Sequence, residues 1–203
     1  MTNIKVKKLH NDAIIPKRAH ASDAGFDIYA LEDTIIEPGE TALIKTGLAF
    51  ELPEGYEMQI RPRSGITLKT KLRVQLGTID SNYRGEVGVI VDNLFQTLYE
   101  CNGDVAMTDV VVSIEGLNDD TTFAKNHCFP SGTHYIPKGT RIAQAVIQRL
   151  PDVNLIEVES LEDSERGAGG FGSTGVSSDE KTWKEAFDGM VEQAKKLRKD
   201  VDV

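Results

Sequence analysis

Arg61-Pro62-Arg63-Ser64-Gly65 sets a guanidinium, a hydroxyl and a glycine-freed backbone amide side by side. Such groups suit phosphate oxygens, because guanidinium donors match them in pairs and a free amide can approach closely. The same residues also make an ordinary surface turn with a salt-bridged arginine, so the segment alone does not decide. Asp23-Ala24-Gly25-Phe26-Asp27 is equally two-sided. Short Asp/Gly clusters are commonly turns, yet Asp27 at a strand entrance could point at a metal-bound water or a sugar hydroxyl. The stretch from Gly77 to Glu86 joins two β-like runs, residues 72–76 and 87–91, and reads as a hairpin whose tip carries Asp80 and Tyr83. Arg141-Ile142-Ala143-Gln144 and the arm Arg166-Gly167-Ala168-Gly169-Gly170-Phe171-Gly172-Ser173-Thr174-Gly175 complete the set.

The elements that must position these groups read as strands. Short runs rich in Val, Ile, Thr and Tyr, at residues 4–8, 26–30, 41–50, 56–61, 88–92, 110–114, 133–136 and 141–148, are separated by turn signals such as Glu37-Pro38-Gly39 and Ile136-Pro137-Lys138-Gly139. No helix-length apolar period interrupts them, which argues against alternating β and α units. An all-β barrel or sandwich is expected. After Pro151 an acidic piece leads into the arm, whose five glycines in ten residues predict mobility until something orders it. The one clear helix is expected from Ser177 to about Arg198, with Ser177 and Glu180 as a capping box and Trp183, Phe187, Met190, Ala194 and Leu197 forming an apolar stripe. That stripe suits packing on the chain's own or a neighbouring subunit, or docking of another protein.

A chain of 203 residues, 39% hydrophobic and 27% charged, can bury one sizeable core, so one domain with appendages is expected. A net charge of -9 argues against binding a nucleic-acid backbone, which needs a basic face. Small anionic ligands need only a few arginines. No window approaches the roughly 20 apolar residues of a membrane span, and no apolar stretch behind Met1 makes a signal peptide. A cytoplasmic location without membrane contact is therefore expected. Cys101 and Cys128 are expected to stay free thiols; with His127 and His134 they make a four-ligand set that lacks the close Cys-x-x-Cys pairs usual for structural zinc. Residues 170–175 fit a dinucleotide fingerprint, but the strand, helix and second strand it requires are missing, and a charged helix follows instead.

The five segments, in this order, resemble the motifs of the trimeric all-β dUTPase family. The resemblance covers nearly all of the chain except a region around residues 94–132 and the tail after Gly175. It implies a jelly-roll, β-barrel-like domain over residues 1–175 with a C-terminal arm over 160–175, and a homotrimer whose sites each draw on more than one subunit; the helical extension over 176–203 lies beyond the family's usual end. The resemblance also implies Mg²⁺-dependent hydrolysis of dUTP to dUMP and pyrophosphate. By the same resemblance Asp80 would orient and deprotonate the attacking water, and Tyr83 would lie against the deoxyribose and exclude a 2′-hydroxyl. Backbone groups of the hairpin, including Gly77 and Ile79, would read the uracil. Arg63, Ser64 and Gly65 would hold phosphate oxygens from a neighbouring subunit, Gln144 would donate to the α/β-phosphate region, and Asp27 would assist the Mg²⁺ through water. Phe171 would stack on uracil, and Arg166, Gly172, Ser173 and Thr174 would close over the nucleotide and its γ-phosphate end.

Two departures from the family pattern stand out. Residues 94–132 form a long, partly apolar insertion where a short connection is usual. Some phage-encoded dUTPases resemble this chain in that respect, and such members can bind repressor proteins. A phage origin and a regulatory protein partner at the insertion are therefore one expectation, and a structural elaboration without a partner is the other. Thr140 stands where many relatives have an aspartate, which puts an ion pair near the arm in question. Two alternatives to hydrolysis stay open: a dCTP deaminase of the same superfamily, which Tyr83 and the full arm disfavour, and a dUTP-responsive regulatory binding protein.

Overall fold

The computed structural model describes residues 2–97, 104–108, 110–113, 121–123, 129–169, 184–185 and 187–193. The first part of the chain forms β1 (Lys5–Lys8), β2 (Gly25–Tyr29), β3 (Thr34–Ile36), β4 (Thr41–Lys45), β5 (Leu48–Glu51) and β6 (Tyr56–Arg61). A six-residue helix, α1 (Ser64–Lys69), precedes β7 (Leu72–Val74), β8 (Gly77–Ile79) and β9 (Gly88–Asn93). Then come β10 (Met107–Thr108), β11 (Val110–Ser113), β12 (Thr121–Phe123), β13 (Phe129–Pro130), β14 (His134–Ile136) and β15 (Arg141–Arg149).

The all-β class expected from the sequence holds. Among the described residues the strands form five separate sheets, ordered β1-β5, β10-β13, β12-β11-β14-β3, β2-β15-β6-β8 and β4-β9-β7, and no closed barrel. The chain divides into two units, Met1–Val153 and Asn154–Val203.

In the first unit the alternating strands turn one face inward. On β6, Met58 and Ile60 are buried while Gln59 accepts from Arg61 and donates to Glu57 along the outer face. Ile28, Ile36, Ile44, Leu72, Val89, Val91, Ile136 and Ile142 join them in one core. Full burial of a side chain of this size stabilises the fold by about 1.5–3 kcal/mol. The one buried amide there, Asn93, is satisfied: its Nδ2 donates to the carbonyls of Ile36 and Gly132, each at 3.0 Å, and its Oδ1 accepts from Phe95.

Three local readings are refined. The single strand expected at 41–50 breaks into β4 and β5, because Gly47 adopts φ +69° between them, a left-handed conformation that a side chain would strain. The helix α1 escapes periodicity because six residues bury only Ile66. The runs around 72–76 and 87–91 do pair, as β7 with β9. Their connection is no free tip, however, since β8 leaves to join β6 in another sheet.

In the second unit, backbone at residues 184–185 and 187–193 is helical, with Phe187 and Met190 exposed. Trp183, Ala194 and Leu197 of the expected stripe, the capping residues Ser177 and Glu180, and Cys101, Cys128 and His127 lie outside the described residues. No helix among the described residues is long and apolar enough to cross a membrane.

Candidate functional site

A cleft of about 760 Å³ opens in the first unit, where the segment before β2, β2 itself, the start of α1, the turn at Gly139 and Thr140, and β15 converge. Strand geometry explains which side chains reach it. Gly25, Asp27 and Tyr29 alternate along β2 and line the cleft together. Residues directly opposite on a neighbouring strand share a face, and β15 sets Gln144 opposite Asp27 and Arg141 opposite Tyr29.

Arg141 and Gln144 are three apart, so on a regular strand they would point to opposite faces. A bulge between Arg141 and Ala143 inserts one residue and turns both into the cleft. Its mark is the register, in which Arg141 faces Tyr29 and Ala143 already faces Ile28.

Gln144 is fixed by donation from Nε2 to the carbonyl of Pro62, 2.9 Å away. Gly25 is a glycine for the same reason: a Cβ there would come within 2.5 Å of Gln144 Oε1 and 3.1 Å of its Cβ. Arg63 enters from the extended residue before α1, and Ser64 and Gly65 supply that helix's first backbone amides, which have no acceptor inside the helix.

Electrostatically the cleft is organised around Asp27. Arg63 Nη1 donates to its Oδ1, and Arg141 Nη1 approaches Oδ2 at 3.4 Å. Only 14% of the Asp27 side chain is exposed, against 29% for Arg63. Burial, and secondarily the charge of Arg141, push the Arg63 guanidinium below its ordinary value. Arginine is effectively always protonated in proteins, so both cleft guanidiniums carry their charge. At the cleft edge Asp23 Oδ2 accepts from the backbone N–H of His20 at 2.8 Å.

The hairpin after β8 holds the other expected residues. Gly77 and Ile79 pair with Ile60 and Met58 of β6, and Asp80 follows, exposed. The Tyr83 hydroxyl donates to the Glu86 carbonyl at 3.1 Å, and its ring lies where a Cβ on Gly85 would have to be. Glu86 anchors the hairpin base, accepting from Gly47 N–H at 2.8 Å. Arg84 braces the turn by donating to the carbonyls of Ser81 and Tyr83.

These two groups of residues are not adjacent within one chain. The register places Asp80 beyond Ile79, level with Glu57, while Asp27 lies level with Arg61. Four residues along the strands and three strand spacings across separate Asp80 from Asp27 by roughly 20 Å. In the second unit, Arg166 Nε donates to the carbonyl of Gly169 at 2.9 Å. Phe171, Gly172, Ser173 and Thr174 lie outside the described residues.

Asp27, Arg63, Ser64, Gly65 and Gln144 thus line one cleft. Arg141, which completes the cluster, was not singled out from sequence. Its signal was present, an arginine in the same short motif as Gln144, but a spacing of three in a strand predicts the opposite face. Among the described residues no three of His, Cys, Asp and Glu group to hold a metal.

Fold and cleft together define an all-β protein with a polar cleft, carrying two arginines and an aspartate, on one sheet. The family model "dUTPase" matches residues 11–102 and 129–175. A deoxyuridine 5′-triphosphate nucleotidohydrolase of Clostridioides difficile is 44% identical over 177 residues, covering 86% of this chain and 99% of the relative. One of Nautilia profundicola is 44% identical over 174 residues, covering 85% and 98%. Among solved structures, the Staphylococcus bacteriophage 80alpha dUTPase with dUPNHPP superposes with a TM-score of 0.78 at 38% identity, covering 87% of this chain and all of that one (100%). A mutant dUTPase of phage phi11 of S. aureus, whose structure concerns the coordination of a structural Mg(II) ion, gives 0.71 at 33% identity, covering 79% and 99%. The chain belongs to the dUTPase family, and its activity is hydrolysis of dUTP.

Proposed function

We propose that this chain hydrolyses dUTP at the α-phosphorus, with the triphosphate held in the Asp27–Arg63–Arg141–Gln144 cleft of one copy and the attacking water activated by Asp80 of another. The observation that carries this reading is the roughly 20 Å between Asp80 and Asp27 along the sheet of a single chain. No side chain bridges that distance to one phosphorus atom, whereas a neighbouring copy can. A homotrimer, as the family resemblance implies, supplies it.

In this mechanism the Asp80 carboxylate accepts a proton from water, the hydroxide oxygen bonds to the α-phosphorus, and the bond to the bridging oxygen of the β-phosphate breaks. Pyrophosphate and dUMP leave. Arg63, Ser64, Gly65 and Gln144 hold phosphate oxygens in line for attack. Tyr83, braced over Gly85 by its bond to Glu86, closes the space of a 2′-hydroxyl. Gly77 and Ile79 present backbone to the uracil.

The cleft carboxylates Asp23 and Asp27 do not make a cage, which suits a Mg²⁺ ion carried by the substrate and touched by protein through water from Asp27. Bound there, it would supply charge neutralisation along the triphosphate. By the family resemblance Arg166, Phe171, Gly172, Ser173 and Thr174 would also contact the nucleotide, within a dUTPase domain assigned to residues 1–175 ahead of a C-terminal extension, 176–203.

Pyrophosphate release from dUTP, beside dCTP, dTTP and UTP, with and without Mg²⁺, tests this. Release from dUTP alone, and only with the metal, is expected; ammonia release from dCTP would make the chain a deaminase instead.

A second role is favoured by one observation. Residues 103–128 fall outside the family match, and phage dUTPases such as that of Staphylococcus bacteriophage 80alpha control transfer of virulence genes. We infer a regulatory protein partner at the insertion, about residues 94–132. Deletion of residues 97–130 should keep hydrolysis and lose that partner; retention of every candidate partner would end the idea.

A further inference from the structure

Among the described residues, Asp27 is the acidic group that both cleft arginines contact, one through each oxygen. The pair comes from different elements, Arg63 from the segment before α1 and Arg141 from the start of β15. A carboxylate so placed lowers the charge of the three-residue cluster from +2 to +1. It also lies beside whatever phosphate the arginines bind. Like charges in contact raise each other's free energy, most strongly where water is partly excluded, and the Asp27 side chain is only 14% exposed.

We propose that Asp27 acts as an internal anion that competes with the diphosphate product for Arg63 and Arg141, and so speeds pyrophosphate release. The competition falls unequally on substrate and product. The nucleotide has uracil and sugar contacts in addition to its phosphates, whereas free pyrophosphate is held by phosphate contacts alone. Weakening those contacts therefore costs the substrate a small part of its binding and the product most of it. With phosphate on the arginines, the Asp27 carboxylate would be free for the part proposed for it above toward the substrate's Mg²⁺, which reconciles its two ion pairs with that role. The inference rests on the phosphate-cleft reading, and the test separates the two.

Inorganic pyrophosphate is titrated calorimetrically into the full-length protein in EDTA, where any part Asp27 plays toward the metal is silent, and the same is done for Asp27→Asn and Arg63→Gln. Asp27→Asn should bind pyrophosphate at least about tenfold more tightly, and its stopped-flow release should slow to match. A residue that merely propped the arginines in place would give the opposite sign. Equal or weaker binding by folded Asp27→Asn overturns the inference, provided Arg63→Gln has weakened binding. If Arg63→Gln binds as well as the unsubstituted protein, the phosphate cleft itself is wrong, and this proposal falls with it. Should Asp27→Asn fail to fold, a crystal of the unsubstituted protein with metal-free pyrophosphate decides. Arg63 moved from Asp27 onto the ligand supports competition; Arg63 still on Asp27 with pyrophosphate bound elsewhere overturns it.

Discussion

Asp80 and Tyr83 are three residues apart on one hairpin yet are positioned by different means, so their substitutions should read out differently. Asp80 is exposed, and its carboxylate makes no contribution to the core. Asp80→Asn should therefore leave melting and binding of a non-hydrolysable dUTP analogue within a few-fold of normal, while lowering kcat by about 10²-fold or more, the usual weight of a general base. Normal turnover in that variant would remove Asp80 from the mechanism.

Tyr83 depends on its neighbour. Its ring occupies the space above Gly85, so a methyl group there must displace it. Gly85→Ala should narrow the preference for dUTP over UTP by about tenfold, some 1.4 kcal/mol, chiefly through better use of UTP. A ratio of kcat/KM values that does not change would mean that the ring position does not set sugar selectivity.

At the scale of elements, the strands that carry the site are also those that carry the core. Ile60 on β6 is 1% exposed, lies opposite Gly77 of β8 and Ala145 of β15, and so ties the hairpin strand to the cleft strand. Truncation to alanine should cost about 2–5 kcal/mol in denaturant unfolding; a loss below about 1 kcal/mol would show that the site strands are held from elsewhere.

Two exposed pairs tie strands and turns at the periphery. Lys5 holds Glu51 across β1 and β5 at 2.7 Å, and Lys138 holds Asp12 at 2.5 Å. Hydrogen bonding and charge from each lysine draw Glu51 below its ordinary 4.5 and Asp12 below its ordinary 3.8. Because the folded-state values are depressed, this stabilisation is present above the ordinary values and is lost as pH falls through the lowered ones. Asp12→Asn with Glu51→Gln should therefore flatten the melting temperature against pH below about 4.5, by a small amount that salt abolishes.

Much of this architecture was legible in the sequence because period-2 alternation and turn residues are local signals. The strand at Tyr56–Arg61 is of that kind, whereas the placing of Arg63 and Asp27 in one site, 36 residues apart, came from the family resemblance and not from a local signal. What escaped depends on partners distant in sequence. The split at Gly47 follows from a left-handed φ, β8 from an exchange of sheets, and Arg141 from a bulge that reverses the face expected at its spacing.

At the scale of the whole molecule, the sheet order β2-β15-β6-β8 fixes how far apart one chain keeps its own catalytic groups. The cleft is built on the β2 and β15 side and Asp80 on the β8 side, about 20 Å away by strand count. On the proposed reading a site draws on two chains, and complementation tests that requirement without any structure. Asp80→Asn and Arg63→Gln should each be inactive alone. If, as proposed, each site takes Asp80 from one copy and Arg63 from its neighbour, a mixed assembly should differ. When the two variants are co-refolded in equal amounts, a site needs an Arg63→Gln chain on one side and an Asp80→Asn chain on the other, so about a quarter of sites regain both native residues under random cyclic assembly. Activity should therefore return to roughly one quarter of that of the unsubstituted protein, from two preparations that separately have almost none. If the mixture stays dead although the chains have exchanged, every site is built from one chain, and the arm or another rearrangement would have to bridge the sheet.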